Sequence, residues 1–121
     1  MIVHAGLIAL WRPDGWWGIL IEGPSGAGKS DLALRALEAG FRLVSDDRTC
    51  LFSSSDRLFG RAPPALLGMI EARGLGVVRE RALALAEIRL LVRCADEPKE
   101  IDRMPDMELQ TRAGVDRKSV V

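Results

Sequence analysis

The feature that most restricts the fold of this chain is residues 23–30, which read Gly-Pro-Ser-Gly-Ala-Gly-Lys-Ser. Gly23, Gly28, Lys29 and Ser30 satisfy every fixed position of the pattern G-x-x-x-x-G-K-[ST]. Such a loop needs a strand before it and a helix after it, because the glycines let the backbone curl at the start of a helix. The pattern therefore predicts a strand, a loop and a helix in that order.

The sequence on both sides of the loop meets this requirement. Residues 16–22 are nearly all apolar, which is typical of a strand buried on both faces. Residues 29–39 have helical character and end at Gly40, and their predicted apolar stripe consists of Leu32, Ala33, Ala36 and Leu37. A further short strand is predicted at 41–44. Strand, helix and strand form a βαβ unit, so we expect an α/β fold.

The rest of the chain adds elements around this unit. We predict a strand at 2–11, a hairpin or mobile loop at 51–59, a short helix at 65–70 and a strand at 87–94. Residues 95–121 are polar and lack periodicity, so they are expected to be irregular. The 121 residues are enough for one domain, with a core at about 2–94.

The loop predicts a site for a nucleotide phosphate chain. Inward N–H groups and the positive end of the helix attract phosphate oxygens. Lys29 would reach the terminal phosphates, and the Ser30 hydroxyl would hold Mg²⁺. The alternative is a glycine-rich turn with a chance lysine.

Two adjacent acids, Asp46 and Asp47, follow the strand predicted after the helix. Parallel strands end on the same edge of a sheet, so both carboxylates should face the phosphate loop. One acid could orient Mg²⁺, and the other could take a proton from an attacking hydroxyl. The alternative is an ordinary turn or cap.

Three further residues are ambiguous from their pattern alone. Glu71 comes just before two glycines, Gly74 and Gly76, which indicate a close backbone approach, and it is either a functional acid or part of a surface Glu-Arg pair. Cys50 and Cys94 are isolated, which favours buried thiols over a zinc site or a disulfide.

Composition narrows the class of protein. Seventeen basic and seventeen acidic residues leave no net charge, which argues against a nucleic-acid partner. No signal-peptide pattern opens the chain, and no apolar run approaches a membrane span. We therefore expect a cytoplasmic protein without a membrane partner.

Three blocks of this sequence resemble the bacterial HPr kinase/phosphorylases. Residues 23–34 are similar to the family's phosphate loop and the helix after it. Residues 40–47, Gly-Phe-Arg-Leu-Val-Ser-Asp-Asp, match its G-x-R-L-V-x-D-D segment, and residues 71–78, Glu-Ala-Arg-Gly-Leu-Gly-Val-Val, are similar to its signature E-x-R-G-L-G-[IV]-[IV]. The likeness covers about residues 3–94, and the resemblance implies a chain that begins at the catalytic domain, as in shortened members.

The resemblance implies ATP- and Mg²⁺-dependent phosphorylation of a serine on HPr or an HPr-like phosphocarrier of the phosphotransferase system, and the reverse phosphorolysis. It implies that Asp46 is the proton acceptor and that His4 is an active-site histidine. Arg112 falls near the family's catalytic arginine, with Arg117 as a competitor. Nucleotide binding would fall to Lys29 with Gly23, Pro24, Ser25, Gly26, Ala27, Gly28 and Ser30, and Mg²⁺ binding to Ser30, Asp47 and Glu71.

The implied fold is a P-loop kinase-like mixed sheet with the phosphate-loop helix packed on it, of the PEP carboxykinase-like type. The family also implies a homo-oligomer. Two alternatives stay open, a small-molecule P-loop kinase and a nucleotide-binding regulatory protein without turnover. A small-molecule kinase would need an arginine-rich lid, and only two arginines lie in residues 51–61.

Overall fold

The computed structural model describes residues 1–24, 26–72 and 74–94, together with the backbone of 107–112 and 115–120. Its one α-helix in these ranges, α1, is Lys29–Glu38, and a 3-10 turn spans Pro64–Leu66. The strands are β1 Ile2–Val3, β2 Ala5–Arg12, β3 Gly15–Glu22, β4 Arg42–Ser45, β5 Thr49–Ser54, β6 Arg57–Arg61, β7 Met69–Ala72, β8 Gly76–Arg79, β9 Ala86–Arg93, β10 Met107–Arg112 and β11 Val115–Val120.

A mixed sheet forms the body of the molecule, in the order β1-β5-β6-β9-β3-β2-β4. Strand β2 is antiparallel to both β3 and β4, so β3 and β4 run in the same direction with β2 between them. Strand β9 is parallel to β3. The carboxyl ends of β3, β4 and β9 therefore meet at one edge of the sheet, as the βαβ pattern predicted.

Helix α1 connects β3 to β4 and packs on the sheet. Ala33 is fully buried, and Leu34, Ala36 and Leu37 pack around it. The predicted stripe is correct at 33, 36 and 37 but wrong at Leu32, which is partly exposed, because the buried face is centred between Ala33 and Leu37 and includes Leu34 instead. In the part of the chain that the structure describes, no helix is long and apolar enough to cross a membrane.

The sheet separates two apolar clusters. One contains Leu7, Leu20, Ile88 and Leu91 and is covered by Leu51 and Leu58 of the β5–β6 hairpin, and the other contains Ile8, Ile21, Leu43 and Ile70 and is covered by α1. Side chains alternate between the faces of a strand, so β2 and β3 each contribute to both clusters. This two-sided burial explains the nearly continuous apolar sequence of β3.

Two hairpins account for the middle of the chain. The predicted hairpin at 51–59 is confirmed, with Ser55 and Asp56 both at positive φ in its two-residue turn. The predicted helix at 65–70 is wrong, since only the 3-10 turn forms there and residues 69–72 are strand β7, paired with β8. Apolar runs of this length do not distinguish a strand from a helix by periodicity, and tertiary packing of Ile70 decides between them.

The prediction that residues 95–121 are irregular is also wrong in part. Strands β10 and β11 pair antiparallel, and β11 adds to the main sheet parallel to β9. Strand β11 is held by backbone hydrogen bonds to β9, and an apolar pattern within residues 115–120 is not needed for such pairing.

Candidate functional site

The carboxyl edge of the sheet gathers the predicted phosphate loop and the two predicted acids. Strand β3 ends at Glu22 and leads directly into residues 23–30, while β4 ends at Ser45 and leads into Asp46. Because β3 and β4 run in the same direction, the loop and the acids lie side by side. The predicted juxtaposition is therefore confirmed by the topology.

The phosphate loop closes around its own lysine. Gly28 adopts a left-handed conformation, with φ of 90°, immediately before α1 begins. Having no side chain, it leaves the first N–H groups of the helix available to an anion. Lys29 is buried, and its ammonium group donates to the backbone carbonyl of Gly23 and, at 3.1 Å, to that of Pro24. A phosphate chain entering the loop would replace these carbonyls as the partner of the ammonium.

Asp46 connects three elements at the base of the site. It is only 9% exposed, and its Oδ1 accepts a hydrogen bond of 2.9 Å from the Ser30 hydroxyl on α1. Its Oδ2 accepts a hydrogen bond of 3.0 Å from the backbone N–H of Glu71 on β7. Both oxygens of this buried carboxylate are therefore engaged, which fixes its orientation beside Ser30.

Asp47 has the opposite environment. It is exposed, has a left-handed backbone with φ of 66°, and faces an open cleft with a volume of about 420 Å³. The cleft is lined by Gly26, Gly28, Lys29, Ser30, Asp31, Asp47, Glu71 and Gly74. The structure thus separates the two adjacent aspartates, one held within the protein and one open to an incoming molecule.

The oxygen donors around Ser30 suit Mg²⁺, which prefers oxygen ligands and usually keeps several waters. Asp46 already contacts the Ser30 hydroxyl, and Asp47 and Glu71 line the same cleft. Among residues 1–24, 26–72 and 74–94, no three His, Cys, Asp or Glu side chains converge into a metal site of their own. This arrangement fits an ion bound through one or two protein oxygens together with substrate phosphates.

His4 lies at the same edge of the sheet, in the bend between β1 and β2. The next residue, Ala5, pairs with Glu22, so His4 is level with the start of the phosphate loop. Its side chain is exposed. The backbone register therefore places His4 beside the loop, where an incoming substrate could reach it.

Arg112 is not brought to this edge within one chain. It ends β10 and pairs with Val115, the first residue of β11. Val120, the last residue of β11, is level with Val92 near the carboxyl end of β9, so Val115 lies about 16 Å away along the strand. The backbone of Arg112 therefore lies toward the opposite edge of the sheet, because β10 runs antiparallel to β11.

The structure brings to the site two residues that the sequence patterns did not place there. Asp31, in the first turn of α1, lines the cleft, although nothing in its spacing separates it from an ordinary helix-start acid. Cys94 packs its backbone against Gly23, where an added Cβ would lie 2.7 Å from its carbonyl oxygen. Burial raises the pKa of the Cys94 thiol, against the opposing effect of the nearby Lys29 ammonium. Both cysteines are free and half-buried.

Comparisons with known proteins identify the family of this chain. The family model described as the HPr Serine kinase C-terminal domain matches residues 2–113. An HPr kinase/phosphorylase of Clostridium beijerinckii is 48% identical over 61 residues, which are 50% of this chain and 20% of that protein. One of Lacticaseibacillus casei is 44% identical over 62 residues, covering 50% and 19%. The matched segment thus spans about a fifth of the length of these curated relatives.

A solved structure shares the fold. The Hpr(Ser) kinase/phosphatase from Coxiella burnetii superimposes with a TM-score of 0.85, covering 99% of this chain and 83% of that chain at 22% sequence identity.

Proposed function

The chain belongs to the family of the HPr serine kinase C-terminal domain, and on this premise we propose that it transfers the γ-phosphoryl group of ATP to a serine of HPr or an HPr-like phosphocarrier. The observation that carries the proposal is the cleft in which the phosphate-loop residues Lys29 and Ser30 meet the acids Asp47 and Glu71. A phosphate loop without neighbouring acids would only bind a nucleotide, whereas an acid beside the loop can accept the proton of an attacking hydroxyl.

The phosphate loop would hold the nucleotide. The backbone of residues 23–30 and the N-terminus of α1 would surround the phosphate oxygens, and Lys29 would neutralise charge on the terminal phosphates. Mg²⁺ would be held by the Ser30 hydroxyl with Asp46 and Glu71 beside it, where it would supply charge neutralisation to the phosphates.

The geometry supports an exchange of the roles that the resemblance gave to the two aspartates. Asp46 has both oxygens engaged and is buried, so it suits the positioning of Ser30 and of the metal site. Asp47 is exposed in the cleft and free to approach an acceptor hydroxyl. We therefore assign the proton-accepting role to Asp47.

In the proposed reaction the acceptor serine oxygen forms a bond to the γ-phosphorus, and the bond from that phosphorus to the β–γ bridging oxygen breaks. ADP leaves, and the hydroxyl proton passes to the Asp47 carboxylate. In the reverse direction, an oxygen of inorganic phosphate would form a bond to the phosphoserine phosphorus, and the bond from that phosphorus to the serine oxygen would break. Pyrophosphate would leave, and Asp47 would return the proton to the serine oxygen. His4 at the rim and an arginine in the role given to Arg112 stay predictions of the resemblance.

Membership of this family also supports proposals on the fold type, the cellular location and the partner. We propose a single P-loop kinase domain of the PEP carboxykinase-like type, which the mixed sheet with α1 between β3 and β4 supports. We also propose a cytoplasmic homo-oligomer whose partner is a phosphocarrier protein rather than nucleic acid or membrane, in keeping with the zero net charge.

The test is to incubate the protein with Mg·ATP and HPr-like proteins and to locate phosphoserine by mass spectrometry. Phosphoserine formed by the wild type and lost in Lys29→Ala is the expected result, because that variant lacks the ammonium that faces the phosphates. ATP binding by Lys29→Ala as tight as that of the wild type would contradict the assignment of the loop. Binding of ATP without any transfer would favour a regulatory protein instead.

A further inference from the structure

The turn that carries Asp47 has an unfavourable backbone conformation. The N–H of Arg48 donates to the carbonyl of Asp46 at 2.7 Å, and this bond closes a γ-turn with Asp47 at its centre. The φ of Asp47 is 66°, the sign found in the classic γ-turn, which is rare and strained. Such a conformation costs free energy at a residue other than glycine and persists only where the surrounding structure holds it. Contacts outside Asp47 must therefore hold the turn.

Ser45, the last residue of β4, supplies one of these contacts. It is 1% exposed, and its hydroxyl donates to the backbone carbonyl of Arg48. One side chain thus connects the residue before the two aspartates to the residue after them. A buried hydroxyl costs free energy unless it is hydrogen-bonded, so this bond offsets the burial of the hydroxyl at the end of the strand. The Ser45 hydroxyl therefore fixes the far end of the turn.

The near end of the turn is fixed by Asp46. Its carboxylate accepts hydrogen bonds from the Ser30 hydroxyl and from the Glu71 backbone N–H. Between these two held ends, Asp47 is exposed and lines the cleft of the phosphate loop. A change of its φ to the negative values that most residues prefer would turn its side chain in another direction. The direction of the Asp47 carboxylate thus depends on the contacts that hold the turn.

We propose that Ser45 is a positioning residue for phosphoryl transfer, whose hydroxyl holds the turn that directs the Asp47 carboxylate toward the acceptor hydroxyl. The inference rests on the proposed function, in which Asp47 accepts the proton of the acceptor. A general base must lie within hydrogen-bond reach of the proton that it takes, and a displacement of about 1 Å can cost about 10²-fold in rate. A carboxylate on a turn that is free to relax would occupy the required place for less of the time.

The test compares Ser45→Ala with the wild type and with a matched control, Thr49→Val. Thr49 is also fully buried, and its hydroxyl donates at 2.7 Å to the carbonyl of Ala5 on β2, outside the turn. Both variants therefore lose one bond from a buried hydroxyl to a backbone carbonyl. Valine keeps the strand preference of threonine, and the backbone pairing of Thr49 with Val3 does not involve its side chain.

Three quantities are measured on each protein: the rate of phosphoserine formation on HPr with HPr and Mg·ATP varied separately, the Kd for a non-hydrolysable Mg·ATP analogue, and the urea midpoint. We expect kcat of Ser45→Ala to fall about tenfold, less than the loss of about 10²-fold or more expected when the base itself is removed. The Kd for the analogue should change less than about twofold, because the phosphate loop keeps its contacts. Thr49→Val should keep kcat within about twofold of the wild type, although both urea midpoints fall, since each variant loses a buried hydrogen bond.

A double-mutant cycle separates positioning from a merely structural role. Ser45→Ala is also made in the Asp47→Asn background, where no carboxylate is left to direct. There it should have no further effect on the transfer rate, while its effect on the urea midpoint stays the same. The backbone carbon chemical shifts of Asp47, measured by NMR, report the turn independently of transfer. They should change in Ser45→Ala and stay unchanged in Thr49→Val.

Three outcomes would overturn the inference: wild-type transfer by Ser45→Ala, an equal loss of kcat in Thr49→Val, or an equal further loss in the Asp47→Asn background. The proposed function fails separately, if the wild type forms no phosphoserine or if Asp47→Asn retains full transfer. In that case the carbon shifts of Asp47 alone decide whether Ser45 holds the turn, and unchanged shifts in Ser45→Ala would show that it does not.

Discussion

Replacement of Asp46 by asparagine should destabilise the protein, because its buried carboxylate accepts two hydrogen bonds that an amide cannot both accept. The donors are the Ser30 hydroxyl at 2.9 Å and the Glu71 N–H at 3.0 Å. An asparagine has one acceptor oxygen, so its NH₂ group would face one of these donors. A hydrogen bond to a charged group contributes about 1.5–3 kcal/mol to stability. Part of this loss is offset in the variant, because burying a neutral amide costs less desolvation free energy than burying a carboxylate.

The expected loss in the free energy of unfolding is therefore about 2 kcal/mol, measured by urea denaturation at neutral pH. For a typical urea m-value this corresponds to a midpoint lower by roughly 1 M. The same variant should bind Mg·ATP more weakly, because Ser30 loses the partner that holds its hydroxyl in place.

Asp47→Asn is the matched control, one residue further along the chain. Asparagine tolerates the left-handed backbone of this position, and the side chain is exposed, so the urea midpoint should not move. If Asp47 is the proposed general base, the proposed phosphoryl transfer to HPr should fall by about 10²-fold or more, since a general base of this kind contributes about 10²–10⁴-fold. The reasoning is refuted if Asp46→Asn has the stability of the wild type, or if Asp47→Asn retains transfer while Asp46→Asn loses it at unchanged Mg·ATP affinity.

Three further perturbations test other parts of the structure. Gly18→Ala should destabilise by about 1–3 kcal/mol, since its Cβ would collide with the backbone carbonyl of Glu87, and a urea midpoint equal to that of the wild type would contradict this contact. Trp17→Phe should raise the pKa of Asp14, measured by NMR titration, because the hydrogen bond from the indole N–H is the main cause of the lowered pKa. The stability linked to Asp14 is present above its unfolded-state pKa and is lost as the pH falls, so the variant should lose less stability on acidification than the wild type. Alkylation of Cys94 by iodoacetamide should need a higher pH than that of an ordinary thiol, because burial disfavours the thiolate, and a rate at neutral pH above that of a model thiol would count against it.

Local patterns in the sequence predicted the elements that build the site. The fixed positions Gly23, Gly28, Lys29 and Ser30 require a specific backbone path, and the strand and helix on either side of them follow from short-range periodicity. The position of Asp46–Asp47 beside the loop also followed, because a βαβ unit brings the carboxyl ends of its strands to one edge. These inferences succeeded since each depends on residues that are close together in the chain.

Tertiary packing alone decided the rest. Residues 69–72 form a strand whose Ile70 packs in the cluster under α1, and residues 115–120 join the sheet through β9. A short polar or apolar run does not encode either contact. Likewise, two adjacent aspartates look alike in a sequence. The structure buries Asp46, where donors from α1 and β7 reach it, and leaves Asp47 open to the cleft. The phosphate loop is thus predicted by the sequence alone, while the different environments of Asp46 and Asp47 depend on the fold, because hydrogen-bond partners far apart in the chain meet only when the sheet has formed.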